Sequence, residues 1–343
     1  VPPLKENDFP KNWWQFFDET VLMWVKKNYS PKSPWKERPF QTKDVEFFSR
    51  GVLELSEIFT TSRSGGDHFG RKHYFGHPRF RSAYLLYFFQ LQASKFLNLY
   101  RYHSDAFYAA VDHGLKNKKL TIVDYGSGPG TASFAFLLRL MDELPLSEWP
   151  AIELYWIDQD RKIIADGESL LKEWIQKHPT LAPRIQVFSY QNDWWKMGAK
   201  IPSQPSLQVF GHVLNETFQE QHHLTAKLLR LIENSDGGGT LIVEPALKEV
   251  AHSLSQLRDL ILKELSLMKN SKAIWGPCLH ADICPASRGR DWCHFSIPAE
   301  FKSKWFNAFS EELGSKRDWI KFSYLWFASS AYPAVQSFEK DYK

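Results

Sequence analysis

The stretch KKLTIVDYGSGPGTASFAFLLRLM, residues 118–141, leaves few folds open to this chain. A short apolar run is followed by Gly126, Gly128 and Gly130, and then by residues at helical spacing. That order reads as strand, tight turn, helix. Glycine lacks the Cβ that would keep a ligand away from the backbone, so the turn is also a place where something can approach the main chain. The spacing is G-x-G-x-G, unlike the dinucleotide fingerprint G-x-G-x-x-G, and Pro129 removes one amide donor. The turn is therefore poorly suited to cradling a pyrophosphate.

The surrounding chain repeats the pattern. Apolar runs recur as AIELYWID (151–158), RIQVFSY (184–190), SLQVFGHVLNE (206–216) and GGGTLIVEP (237–245). Helical stretches, DRKIIADGESLLKEWIQKH and ETFQEQHHLTAKLLRLIEN, lie between them. Such alternation predicts parallel βαβ units with both sheet faces covered, an α/β fold. A last run, DWIKFSYLWFASS, predicts one more strand. Earlier in the chain the periodicity is helical, in residues 12–29, 43–61 and 82–103, with a Gly-rich break at 62–81. We expect an N-terminal helical domain over 1–114, an α/β domain over 115–343, and a cysteine-containing insertion at about 271–300.

Ligands of open α/β sheets bind at the carboxyl ends of the strands, near the reversal of strand order. Asp158 ends the strand run after the glycine turn, where a carboxylate can accept hydrogen bonds from ribose hydroxyls. Asp193, following IQVFSYQN, is a candidate to meet an adenine amino group. This combination resembles the class I S-adenosylmethionine-dependent methyltransferases, whose motif I is a G-x-G-x-G turn after a strand, preceded by an acidic residue. The resemblance implies a Rossmann-like methyltransferase sheet. It implies that Asp124, Gly126, Ser127, Gly128 and Gly130 line the methionine end of the cofactor, and that Asp158 holds its ribose. The residues alone also allow a tight strand–helix turn with no ligand.

All three cysteines, Cys278, Cys284 and Cys293, fall in GPCLHADICPASRGRDWCHF, residues 276–295. In a reducing compartment clustered thiols are more often metal ligands than disulfides. The succession DYGSGPGTA, GHVLNE, LIVEPA and a cysteine block ending in WCHFS resembles the Rsm22 family. These are methyltransferase-like proteins associated with the small ribosomal subunit in mitochondria, with bacterial homologues. The likeness runs from about residue 80 to 328, and WCHFS, Trp292 to Ser296, is its most specific part. In that family the cysteines hold a [4Fe–4S] cluster, which the resemblance maps onto Cys278, Cys284 and Cys293. The family's usual fourth cysteine lies further downstream, and none follows Cys293 up to Lys343. Either the chain continues or another ligand completes the site, with His280 and His294 as local candidates. Zinc in a Cys₃His site is the alternative, although five residues separate Cys278 from Cys284, wider than the usual zinc spacing. Three free thiols are the remaining reading.

Asn215 and Glu216, after the fourth strand run, are the catalytic candidates, since methyl transfer depends mainly on positioning. They serve equally as caps of the following helix. His212 reads as a structural hydrogen-bonder. For RNA, the segment 63–81 offers Arg63, Arg71, Lys72, Arg79 and Arg81, interleaved with Phe69, Tyr74, Phe75 and Phe80. The bland alternative is a solvated loop packed on the helices. Net charge is only +4, from 43 basic and 39 acidic residues, which permits a nucleic-acid partner without requiring one. No run approaches 18 apolar residues, and VPPLKENDFPKNWW lacks the regions of a signal peptide. We expect a soluble protein of the bacterial cytoplasm or the mitochondrial matrix, with the small ribosomal subunit or its rRNA as partner and neither membrane nor DNA. Two functions compete: an rRNA methyltransferase, and an assembly factor that keeps the cofactor fold without turnover. A methyltransferase for a small molecule or a protein is the third.

Overall fold

In the computed structural model the described residues are 10–30, 33–61, 74–196, 201–218, 221–268, 272–278, 280–287, 289–298, 303–314 and 319–329. Arg63, Phe69, Arg71 and Lys72 lie outside them.

The apolar runs form one mixed sheet. β1 (Lys119–Tyr125), β2 (Ala151–Asp158), β3 (Ile185–Gln191), β4 (Leu207–Gly211) and β5 (Thr240–Pro245) are parallel, in the order β3–β2–β1–β4–β5. β8 (Trp319–Ser329) joins antiparallel to β5, and both β6 (Lys272–Gly276) and β7 (Phe295–Pro298) pair antiparallel with β8. The order reverses between β1 and β4, the switch point at whose carboxyl ends open α/β sheets bind ligands.

Period-two alternation divides each central strand between two apolar layers. Leu120 and Ile122 of β1, with Leu207 and Val209 of β4, face one layer; Val123, Tyr125 and Phe210 face the other. The first layer takes in the helix Thr131–Glu143, the helix Arg161–Lys177 and the N-terminal helices. There Phe16 lies 4.9 Å from Phe134 and edge-on to Trp174 at 5.7 Å. The second layer is closed by the helices Gln221–Asn234 and Lys248–Leu267, through Leu224, Leu228, Leu257 and Ile261. Covering on both faces is why β1, β4 and β5 read as nearly continuous apolar runs.

Two N-terminal helices depart from the plain helical period. Residues 13–29 pass through a π-helical stretch, Phe16–Val21, and residues 78–102 pass through another, Tyr84–Phe88. The latter helix starts four residues before the expected Ser82, because Pro78 suits its first position and the His77 side chain accepts the Arg79 N–H at 3.3 Å.

β6 and β7 were not evident as strands in the sequence, and their arrangement explains the cysteine stretch. Both lie on the same edge of β8, β6 opposite residues 326–329 and β7 opposite 319–322. Between them, beside Ser323, Tyr324 and Leu325, the chain leaves the sheet at Gly276 and rejoins it at Phe295. The insertion expected over 271–300 is thus a narrower excursion of 277–294 from one interrupted edge. Among the described residues, no helix is long and apolar enough to cross a membrane.

Candidate functional site

The glycine turn is built by backbone that only glycine adopts readily. Gly126, Gly128 and Gly130 have φ of +66°, +54° and +84°. Two of the three are also locked by packing. A Cβ on Gly130 would stand 2.3 Å from Cζ2 of the buried Trp156, and one on Gly126 would stand 2.9 Å from Cβ of Val213. Gly128 differs: a Cβ there would meet nothing nearer than the Tyr84 hydroxyl, 4.0 Å away. The turn therefore packs inward at both ends and is open in the middle.

Two carboxylates hold it. Gly128 N–H donates to Asp158 Oδ2 at 2.9 Å, while Asp158 Oδ1 accepts the Asp160 N–H at 2.9 Å. Asp124, on the same face, ties the end of β1 to the following helix. Its Oδ2 accepts the Ser133 N–H at 3.2 Å and the Ser133 hydroxyl at 3.0 Å, and Ser133 Oγ also receives the Trp156 indole N–H at 3.0 Å. Burial pushes the Asp124 carboxyl up to about 7 against the opposing pull of these hydrogen bonds, and nearby Asp158 adds to the rise. Burial raises Asp158 as well. Asp193 Oδ1 accepts the Trp195 N–H at 3.0 Å and opens the turn Trp194–Lys196, beside Lys227, which lies over both indoles at 5.1 Å.

The turn after β4 closes the crevice opposite the glycines. Asn215 is exposed in the 3₁₀ turn Leu214–Glu216, and the next helix begins only at Gln221. His212 has φ of +59°, uncommon for a side chain with a Cβ, and its Nε2 lies 3.2 Å from Nζ of the buried Lys95. Glu244, buried at the end of β5, accepts the amides of Val213 at 3.1 Å and Leu214 at 2.7 Å. The sequence reading passed over Tyr84, Lys95 and Glu244. The available signal for the last two was a polar residue inside an apolar run, Lys95 in LQASKFLNLY and Glu244 in LIVEP.

The three cysteines line one small cavity, together with Ala251, Leu254, Ser255 and Arg258 of the helix Lys248–Leu267, Pro277, and Ser323, Tyr324 and Leu325 of β8. Neither His280 nor His294 is among these lining residues. His294 Nδ1 instead donates to Trp292 O at 3.1 Å, and its ring stacks on that of Trp292 at 5.5 Å. The thiols do not form a ready ligand set: among the described residues, no group of three or more His, Cys, Asp or Glu side chains is placed to hold a metal ion. Burial raises the Cys278 thiol and pushes Cys293 up to about 11. The loop is clamped by polar contacts. Arg258 donates to Asp282 O at 2.9 Å and to His280 O, Asp259 accepts the Cys284 N–H at 3.0 Å, and the Trp292 indole donates to Ala246 O at 3.1 Å.

A family model described as mitochondrial small ribosomal subunit Rsm22 matches residues 93–337. The chain belongs to the Rsm22 family. No curated protein matches it. Solved structures resemble this Rsm22-family chain at low identity. The plantazolicin methyltransferase BpumL is 12% identical, over 83% of this chain and 98% of that one, with a TM-score of 0.35. A class I S-adenosylmethionine-dependent methyltransferase from Listeria monocytogenes, itself described as a candidate of that class, is 10% identical over 95% and 90%, with a TM-score of 0.37. An O-methyltransferase family protein from Burkholderia thailandensis is 15% identical over 82% and 73%, with a TM-score of 0.34.

The proposed RNA segment contributes two described cations, and both are engaged within the chain. Arg79 meets both Glu54 oxygens at 2.8 Å. Arg81 donates to Asp166 at 2.8 Å, the Tyr29 hydroxyl at 3.0 Å and Phe75 O at 2.7 Å. Tyr74 and Phe75 pack edge-on against Phe59 and Tyr84 at 5.4 and 5.1 Å.

Two outcomes follow from the turn. Gly130→Ala must move a buried indole and adopt left-handed backbone, and should lower unfolding free energy by about 3 kcal/mol or more in urea titrations. Gly128→Ala, strained but unobstructed, should lose about 1 kcal/mol. Because the Asp124 carboxyl is raised from 3.8 to about 7 on folding, the folded chain holds its proton more tightly than the unfolded chain. Its contribution therefore makes stability fall as pH rises from about 4 to about 7, and stay level above that. Asp124→Asn removes this titration, so the urea stability of the wild type minus that of the variant should fall from pH 5 to about 7 and level off towards pH 8.

Proposed function

We propose that this chain binds S-adenosylmethionine at the glycine turn and methylates, or helps assemble, the small ribosomal subunit through its rRNA. The observation that carries the reading is Gly128. It stands at the order reversal of a parallel sheet, is buried in left-handed backbone with no atom closer to a would-be Cβ than the Tyr84 hydroxyl at 4.0 Å, and has its amide fixed on Asp158. Thr131, at the start of the following helix, adds a buried hydroxyl whose polar neighbour is the Tyr84 hydroxyl, a pair that suits a ligand with polar groups. Bound there, the cofactor would supply a methyl group on a sulfonium. Asp158 would accept from its ribose hydroxyls, Gly126, Ser127, Gly128 and Gly130 would line its other end, and Asp193 would meet the base. Asp124 would act through Ser133, by holding the turn's shape. The ribosomal partner is supported by the family description, with Arg63, Arg71 and Lys72 as the remaining candidate contacts to phosphate.

An assembly factor without turnover is favoured by one observation: two groups able to move a proton near the crevice, Glu244 and His212, are engaged by backbone amides and by Lys95. Tritium transfer from methyl-labelled cofactor into small-subunit rRNA separates the two. We expect cofactor and product to bind, and Asp158→Ala to abolish binding, in titration calorimetry. Labelling of rRNA that is lost in Asp158→Ala supports the enzyme, and rRNA binding without labelling supports the factor. Absence of cofactor binding to the wild type defeats both.

For the cysteine cavity we propose a thiolate-held [4Fe–4S] cluster, with zinc as the alternative. The reading is supported by the chemistry of the donors, three thiols bordering one cavity although not yet converged on a point, and by Arg258 of the same lining, whose buried Nε has no hydrogen-bond partner. A guanidinium there offsets the negative charge of a thiolate-bound centre. Cys278, Cys284 and Cys293 would hold it, and its chemistry would be to cross-link the loop to the edge of β8. Protein purified without oxygen should be brown, with broad absorbance near ~400 nm, and Cys293→Ser should lose the colour while keeping cofactor affinity. Colourless protein with stoichiometric zinc would overturn the cluster.

A further inference from the structure

The helix 78–102 brings one hydroxyl to the open middle of the glycine turn, and it does so with an irregular backbone. Tyr84 begins the π-helical stretch Tyr84–Phe88, in which the Phe89 N–H reaches back five residues to Tyr84 O. π-helical turns are rare and concentrate at functional sites. The Tyr84 ring is fixed by Phe75, edge-on at 5.1 Å, and by Phe88, stacked at 6.3 Å. Its hydroxyl lies 4.0 Å from the position a Gly128 Cβ would take, and beside Thr131. Asp158 holds Gly128 from the β2 side, so a ligand leaving Asp158 and crossing Gly128 arrives at Tyr84 and Thr131.

We propose that the Tyr84 hydroxyl, with that of Thr131, contacts the charged amino-acid end of the cofactor and so selects ligands that carry it. The inference rests on the cofactor reading above. Burial and the neighbouring Asp158 and Asp124 keep the phenol up at about 12, so it remains a neutral donor throughout the physiological range. A hydroxyl that both donates and accepts matches an end bearing a carboxylate and an ammonium. A hydrogen bond to a charged group is worth more than one between neutral partners, which sets the size of the effect.

The test compares two ligands by calorimetry: S-adenosylhomocysteine, and 5′-methylthioadenosine, which has the nucleoside but no amino-acid end. Tyr84→Phe should weaken S-adenosylhomocysteine on the order of tenfold and leave methylthioadenosine unchanged. Thr131→Val should give the same selective pattern, and Asp158→Ala should weaken both ligands. An equal loss for both ligands in the two hydroxyl variants, or no loss, overturns the role of Tyr84 while the cofactor reading stands. Failure of wild-type protein to bind either ligand overturns the cofactor reading itself.

Discussion

The hydrogen bond from the Gly128 amide to the Asp158 carboxylate ties the turn after β1 to the end of β2. Around it the turn has almost no freedom. The amides of Gly126 and Ser127 donate to Ile157 O, Gly130 rests on the Trp156 indole, and Ser133 links that indole to Asp124. Two buried carboxylates beside one another repel, and the surrounding donors offset that cost.

The sheet was legible because its strands are covered on both sides. LTIV, QVF and TLIV announce themselves as apolar runs bounded by glycine and polar turns. β6 and β7 were not, since four or five residues on a shared edge carry too little periodicity to separate from loop. The N-terminal helices were visible as helices, but their π-helical stretches were not. A π-turn changes the register of the side chains without changing which residues are apolar, so Tyr84 remained one aromatic among many. Asp158 and Asp124 could be located from their distances to the glycines. Both lie on one face of the sheet, since Asp124 pairs with Trp156 and Asp158 stands two residues beyond it; that one holds the turn and the other Ser133 depends on where the following helix starts, which no local pattern in the sequence fixes.

The segment read for RNA shows what local pattern leaves out. Composition counts charges, whereas a surface presents only those not already met. Arg79 and Arg81 look like phosphate contacts in a string of letters, yet Glu54 is 25 residues from Arg79 and Asp166 is 85 from Arg81. Pairing over such separations is invisible to local pattern. The cysteines were read from their proximity in sequence, and proximity did carry them to one cavity, although not into a ready ligand shell.

The interrupted edge has a consequence for how this part of the molecule can vary. Each of the two short segments flanking the thiols is registered on β8 by its own ladder, so neither depends on the span between them for its alignment. Residues can be gained or lost within that span at little more than the slowly growing entropy of a longer loop, with the neighbouring strands undisturbed. The rail formed by β8 thus makes the thiol-bearing span an exchangeable cassette, free to change length and chemistry on a scaffold that does not feel the change.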